Sequence, residues 1–166
     1  MLNRRTLLGT VATGGVLAAL AGAFALRGST AASSGKFEIT KSDAEWRRIL
    51  TPAQYYVLRE HGTERAGTSP LDHEKRRGTY HCAGCDLPLY SSATKFDSGT
   101  GWPSFWKPLP NAIGTSIDTT LFATRTEVHC RRCGGHIGHV FEDGPAPTGL
   151  RYCMNGVAMI FKPAAA

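Results

Sequence analysis

Two C-x-x-C pairs, Cys82-Ala83-Gly84-Cys85 and Cys130-Arg131-Arg132-Cys133, constrain this chain more than any other feature. Each pair turns two thiolates toward one ion, and two pairs complete the tetrahedral sulfur shell of structural zinc. The 44 residues between Cys85 and Cys130 exceed the spacing of a compact zinc finger. The ion is therefore expected to tie two distant parts of one domain, and its closed shell leaves no position for catalysis. Gly84 and Gly134 are expected to supply the tight turns. Two disulfides, or one redox-active C-x-x-C, are the alternatives that spacing leaves open.

The remaining pattern predicts short elements around that staple. Ser42-Asp43-Ala44-Glu45 is a capping box, so a helix is expected from residue 43 to about 50. Thr51-Pro52-Ala53-Gln54 repeats the signal for a second helix, which should stop at Gly62 in a left-handed cap. Trp46, Ile49, Leu50, Tyr55 and Leu58 are expected core positions. Beyond Gly62, frequent Gly, Pro, Thr and Ser favour short strands at 78–82, 104–109, 124–130, 136–141 and 150–161. At 166 residues and 42% hydrophobic content, one domain is the natural size. The expected fold is mainly β: antiparallel sheets with two short N-terminal helices, stapled by a four-cysteine zinc site.

Residues 1–32 read as an address. Arg4 and Arg5 precede an uncharged, Ala- and Gly-rich run from 7 to 26, which is the pattern of an export signal. The start resembles a twin-arginine signal, a route that carries folded proteins and lets the metal site assemble beforehand. Residues 33–36 are a linker, and 37–166 the folded domain. A periplasmic or cell-envelope location is expected, with membrane contact only through the leader if it stays uncleaved as an anchor. The formal charge is +6, and without Arg4, Arg5 and Arg27 it is 16 basic against 13 acidic residues, or +3. That excludes an evident nucleic-acid surface.

One cysteine is left over, in Arg151-Tyr152-Cys153-Met154-Asn155. In an extended segment Arg151, Cys153 and Asn155 share one face, where the arginine would favour the Cys153 thiolate. By themselves the residues also fit blander roles: Cys153 an inert core thiol, His136 and His139 turn caps or extra zinc ligands, Trp102 packing, Arg151 a surface charge.

Longer motifs decide between these roles. Lys95-Phe96-Asp97-Ser98-Gly99-Thr100-Gly101-Trp102-Pro103-Ser104-Phe105, Gly138-His139-Val140-Phe141, Gly144-Pro145, Gly149-Leu150, Arg151–Asn155 and Gly62-Thr63-Glu64-Arg65 together resemble the peptide methionine-(R)-sulfoxide reductases over residues 37–163. The resemblance implies a β-rich fold with the four-cysteine zinc, and thiol-dependent reduction of the R epimer of methionine sulfoxide. It makes Cys153 the nucleophile that becomes a sulfenic acid. It also places His136, His139 and Asn155 on the polar side of the pocket, a histidine serving as proton donor. Trp102 and Phe141 would enclose the substrate methyl group.

Many relatives carry a resolving cysteine where this chain has Thr100. Cys153 should then be recycled by an external thiol, such as a thioredoxin-like protein, with no internal disulfide. Oxidised proteins or peptides are the expected substrates and a monomer the expected state. A zinc-ribbon binding module, with no reactive thiol, and a thiol–disulfide oxidoreductase using Cys82 and Cys85 are the rival classes.

Overall fold

The computed structural model describes residues 37–120 and 123–165; the leader and linker expected at 1–36 lie outside the described residues. Both predicted capping boxes form. Ser42 and Glu45 satisfy each other at the start of α1 (Asp43–Ile49), as Thr51 and Gln54 do at α2 (Pro52–Glu60). The second helix ends one residue earlier than predicted, because His61 rather than Gly62 takes the left-handed conformation, at φ 56°. Gly62 instead leaves room for the exposed Tyr56 ring, which a Cβ there would displace. Trp46, Leu50, Tyr55 and Leu58 are buried as expected, whereas Ile49 is 55% exposed. The first helix ends at Ile49, and the extended residue after it carries Leu50 into the core in its place.

Among the described residues nine strands follow: β1 (Gly78–Cys82), β2 (Pro88–Ser91), β3 (Lys95–Phe96), β4 (Ser104–Phe105), β5 (Ile113–Asp118), β6 (Arg125–Cys130), β7 (His136–Phe141), β8 (Arg151–Met154) and β9 (Met159–Pro163). They form a three-stranded sheet, β2-β1-β9, and a six-stranded sheet, β3-β4-β8-β7-β6-β5, antiparallel throughout. The predicted strand at 104–109 stops at Phe105, where the Trp106 N–H leaves the ladder for the Thr94 carbonyl. The predicted strand at 150–161 breaks at a 3-10 turn, Gly156–Ala158, which hands the chain from the large sheet to the small one. Strands β2, β3 and β5 were not predicted.

The core lies between the sheets. Tyr90 of β2 stacks on Phe105 of β4 at 4.4 Å, and Tyr80 of β1 meets the same ring edge-on at 4.9 Å. The Tyr90 hydroxyl donates to Met154 Sδ at 3.1 Å, whereas the Tyr80 hydroxyl, buried among the same rings, has no hydrogen-bond partner among the described residues. Each such side chain contributes roughly 1.5–3 kcal/mol by burial. Because side chains alternate along a strand, turning Phe105, Val128 and Met154 inward sends their neighbours Ser104, Glu127 and Cys153 to the opposite face of the large sheet.

Candidate active site

The four paired cysteines form one cluster. In each pair the residue after the second cysteine is left-handed, Asp86 at φ 59° and Gly134 at φ 68°. Its N–H donates to the carbonyl of the first cysteine, Asp86 to Cys82 at 2.8 Å and Gly134 to Cys130 at 2.9 Å. The first turn therefore depends on Asp86 and not on Gly84, as the sequence had suggested; aspartate tolerates this conformation better than most residues. Cys82 and Cys133 sulfurs are 3.7 Å apart, Cys85 and Cys130 sulfurs 3.4 Å, and all four lie within 4.8 Å of one another. A disulfide needs about 2.05 Å, whereas sulfurs on one tetrahedral zinc sit about 3.8 Å apart. The donors fit zinc and not disulfides. The cluster joins the β1–β2 turn to the β6–β7 turn, and so fastens one sheet to the other.

The β6–β7 hairpin held by that cluster carries the histidines. Across the large sheet, Cys153 of β8 lies opposite Ser104 of β4 and His139 of β7; His139 lies opposite Glu127 of β6, and Glu127 opposite Ser116 of β5. One outward row thus reads Ser104, Cys153, His139, Glu127, Ser116. In the next row Arg151 lies opposite Phe141. His136 is three residues from His139, a spacing that a regular strand would send to the other face. A bulge at Val128/His129 corrects this, and the two imidazoles meet edge-on at 5.2 Å. Gly138 lets β7 approach β8, because a Cβ there would strike the Cys153 carbonyl.

Burial pushes the Cys153 thiol above its ordinary value, while Thr100 and the Arg151 guanidinium pull it back. The Thr100 hydroxyl stands 3.9 Å from Cys153 Sγ and is linked to Ser98 at 2.8 Å, which is linked to Ser104 at 2.7 Å. Arg151 shares its charge with Asp143, donating twice at 2.8 Å, and lies 4.5 Å from the centre of the Phe141 ring. His139 donates from Nε2 to Asp118 Oδ2 at 2.7 Å, and Arg125 holds that carboxylate at 2.6 Å. Burial lowers the His139 pKa, partly offset by Asp118. His136 donates from Nδ1 to Glu127 at 2.8 Å, leaving its buried Nε2 without a partner. Burial disfavours ionised Glu127, but hydrogen bonds from His136, His61 and Ser116 outweigh it and hold the carboxyl well below the usual range.

Cys153, His139, His136, Arg151 and Phe141 therefore share one face of the large sheet. The strand ends at Met154, and Asn155 is 3% exposed with its amide spent on backbone, accepting from Glu64 N–H at 2.9 Å and donating to the Ile137 carbonyl at 3.0 Å. These contacts brace the end of β8. Trp102 is half-buried, and its indole N–H donates to the Glu64 carbonyl at 3.2 Å. Glu64 also accepts from Gly156 and Val157 N–H, so one residue holds both Trp102 and the segment after the nucleophile. A cavity of about 500 Å³ beside α2 is lined by Tyr56, Leu71, Val157 and Phe161 among others; Cys153 and the histidines do not line it.

Sequence reasoning missed Asp118, Glu127 and Glu64. The signal for the first two lies in strand register, since Glu127 and Asp118 reach the histidines only through the β5–β6–β7 ladder.

Comparison with known proteins identifies the family. The SelR domain matches residues 50–163. A peptide methionine sulfoxide reductase MsrB of Agrobacterium fabrum is 56% identical over 127 residues, covering 76% of this chain and 94% of the relative. One of Methanosarcina barkeri is 54% identical over 125 residues, covering 75% and 88%. The chloroplastic peptide methionine sulfoxide reductase B1 of Arabidopsis thaliana is 52% identical over 119 residues, covering 71% and 59%. A solved structure, the Mis18 'Yippee-like' domain, aligns with 55% of the chain at a TM-score of 0.45 and 14% identity. With the SelR domain spanning most of its described residues and relatives above half identity, this chain belongs to the MsrB family of peptide methionine sulfoxide reductases.

Proposed function

We infer that this chain reduces the R epimer of methionine sulfoxide in oxidised peptides or proteins to methionine, with Cys153 as nucleophile. The observation that carries the reading is the outward row that sets Cys153 between Ser104 and His139, in a member of the MsrB family. The Cys153 sulfur attacks the sulfoxide, the substrate S–O bond breaks, and the oxygen ends on Cys153 as a sulfenic acid, its one proton delivered by His139 and matched by the proton the thiol gave up. Cysteine sulfur is oxidised by two electrons and the substrate sulfur reduced by two. A protonated His139, held by Asp118, would give a proton to the developing oxygen, while Arg151 favours the attacking thiolate. Phe141, beside Arg151, and Trp102, fixed by Glu64, are the aromatic groups available to the substrate methyl.

An external thiol then displaces the sulfenic hydroxyl as water, and a second thiol frees Cys153 from the mixed disulfide. Thr100 offers no sulfur for an internal route. Cys82, Cys85, Cys130 and Cys133 would hold one zinc ion, whose closed sulfur shell supplies stability rather than chemistry. The Arg4-Arg5 leader supports export to the periplasm or envelope, which fractionation of cells making the full chain checks. For the reaction, separated R and S sulfoxide peptides are offered with dithiothreitol. Consumption of R alone is expected; consumption of S, or of neither by the zinc-loaded protein, would overturn the reading.

A further inference from the structure

Beside the nucleophile's row, three side chains of metal-ligand type converge from three elements. His61 closes α2 with its exposed imidazole turned onto the sheet, and its Nδ1 lies 3.0 Å from Glu127 Oε1. His136 Nδ1 lies 2.8 Å from the same oxygen, and the three donor atoms all fall within 4.8 Å of one another. The two imidazoles are 5.3 Å apart, tilted by 36°. The other Glu127 oxygen accepts from the Ser116 hydroxyl, the kind of outer contact that orients a ligating carboxylate. His61 holds a left-handed backbone at φ 56°, a conformation uncommon for residues other than glycine, and that backbone aims a solvent-facing ring at a buried acid.

Two imidazoles and one carboxylate are the donor set of open, three-ligand sites for zinc and its neighbours in the first transition row. Donors on one tetrahedral ion at about 2.0–2.1 Å stand about 3.3 Å apart. The observed separations are a few tenths of an ångström shorter, and His61, being exposed, can supply the difference. An entering ion takes the place of the two Nδ1 protons now shared with Glu127, and each imidazole then carries its one proton on Nε2. Soft thiolate chemistry is absent from this set, so it is chemically distinct from the four-cysteine cluster.

We propose that His61, Glu127 and His136 form a second metal site, which takes a divalent transition ion of the zinc, cobalt or nickel class, and that filling it slows the reductase. The inhibitory half rests on the reaction proposed above. The ion takes His136, whose ring packs at 5.2 Å against His139, and fixes a double positive charge next to the residue opposite Cys153. The binding half stands without any activity.

The test separates the two. Zinc-loaded Cys153→Ser protein is titrated with Co²⁺ and followed by visible absorption. One added equivalent with nitrogen–oxygen-type bands, and without thiolate-to-cobalt charge transfer, is expected. His61→Asn, which tolerates the left-handed backbone, should weaken that binding by at least about tenfold. Absence of binding up to millimolar Co²⁺, or equal binding after His61→Asn, overturns the site. In the second arm, pre-reduced and desalted enzyme with Cys153 intact is given one portion of R sulfoxide peptide with or without Zn²⁺. Slowing that His61→Asn abolishes, at an unchanged basal rate, supports inhibition through this site. Equal slowing in His61→Asn overturns inhibition through it and points to zinc on the Cys153 thiol.

Discussion

His139 lies directly opposite Cys153 across the β7–β8 ladder, and its Nε2 is tied to Asp118 at 2.7 Å. The nucleophile and the imidazole opposite it are thus fixed by backbone register, with the outer carboxylate setting which nitrogen carries the proton. Neutral His139 has its only N–H committed to Asp118, so donation to substrate requires the imidazolium.

That requirement sets a pH dependence. Burial lowers the His139 pKa, so the donor form lies on the acid side of an ordinary histidine, about 6.5. The rate should fall as pH rises through this limb. Asp118→Asn removes the group that stabilises the imidazolium, and should move the limb to still lower pH in a kcat/KM profile. His139→Gln should lower kcat/KM by about 10²- to 10⁴-fold. An unmoved limb in Asp118→Asn would remove His139 from the donor role.

The thiol gives a limb of opposite sense. Burial raises the Cys153 pKa, so its thiolate fraction grows with pH past the ordinary value of about 8.5. Alkylation of the Cys153 peptide, followed by mass spectrometry, should accelerate accordingly. Arg151→Met and Thr100→Val each remove a group that favours the thiolate, and should shift the alkylation midpoint upward. Thr100→Ser should retain the lower midpoint.

Thr100 also fixes how the enzyme is recycled. Its hydroxyl is 3.9 Å from Cys153 Sγ, close enough that a sulfur there needs only a local adjustment to bond. The unaltered chain should give no disulfide at Cys153 after reaction with sulfoxide alone, whereas Thr100→Cys should give a 100–153 disulfide on peptide mapping.

The four-cysteine cluster should matter for stability more than for chemistry. Cys133→Ser breaks the shell that ties the β1–β2 turn to the hairpin carrying both histidines. Thermal unfolding should then shift down by on the order of 10 °C or more, with loss of bound zinc. Full zinc content and an unchanged Tm would contradict the role given to the cluster.

Much of this was legible in the chain because local chemistry decided it. Ser42/Glu45 and Thr51/Gln54 each satisfy their own helix start, so both helices could be placed from four-residue windows. The cysteine spacing pointed to one metal cluster, and the sulfur separations then set the disulfide alternative aside. Elements that depend on partners distant in sequence were less visible. β5 carries exposed Thr115, Ser116 and Ile117, so its sequence shows no buried alternation, and Asp118 at its end was invisible as the partner of His139. The bulge that rotates His136 onto the outer face has no local signature in Gly135-His136-Ile137. Asn155 keeps extended backbone past the end of β8, but its partners, the Glu64 N–H and the Ile137 carbonyl, come from segments distant in sequence and had no local signature.

The most direct test of the account is one turnover without reductant. Pre-reduced enzyme is mixed with an R methionine sulfoxide peptide, and both the released methionine and the oxidation state of each cysteine are read by mass spectrometry with a sulfenic-acid trap. The account predicts stoichiometric methionine, one trapped sulfenic acid on Cys153 alone, and neither product in Cys153→Ser. Methionine released at an undiminished rate by Cys153→Ser, or trapped oxidation at Cys82, Cys85, Cys130 or Cys133 instead, would contradict it.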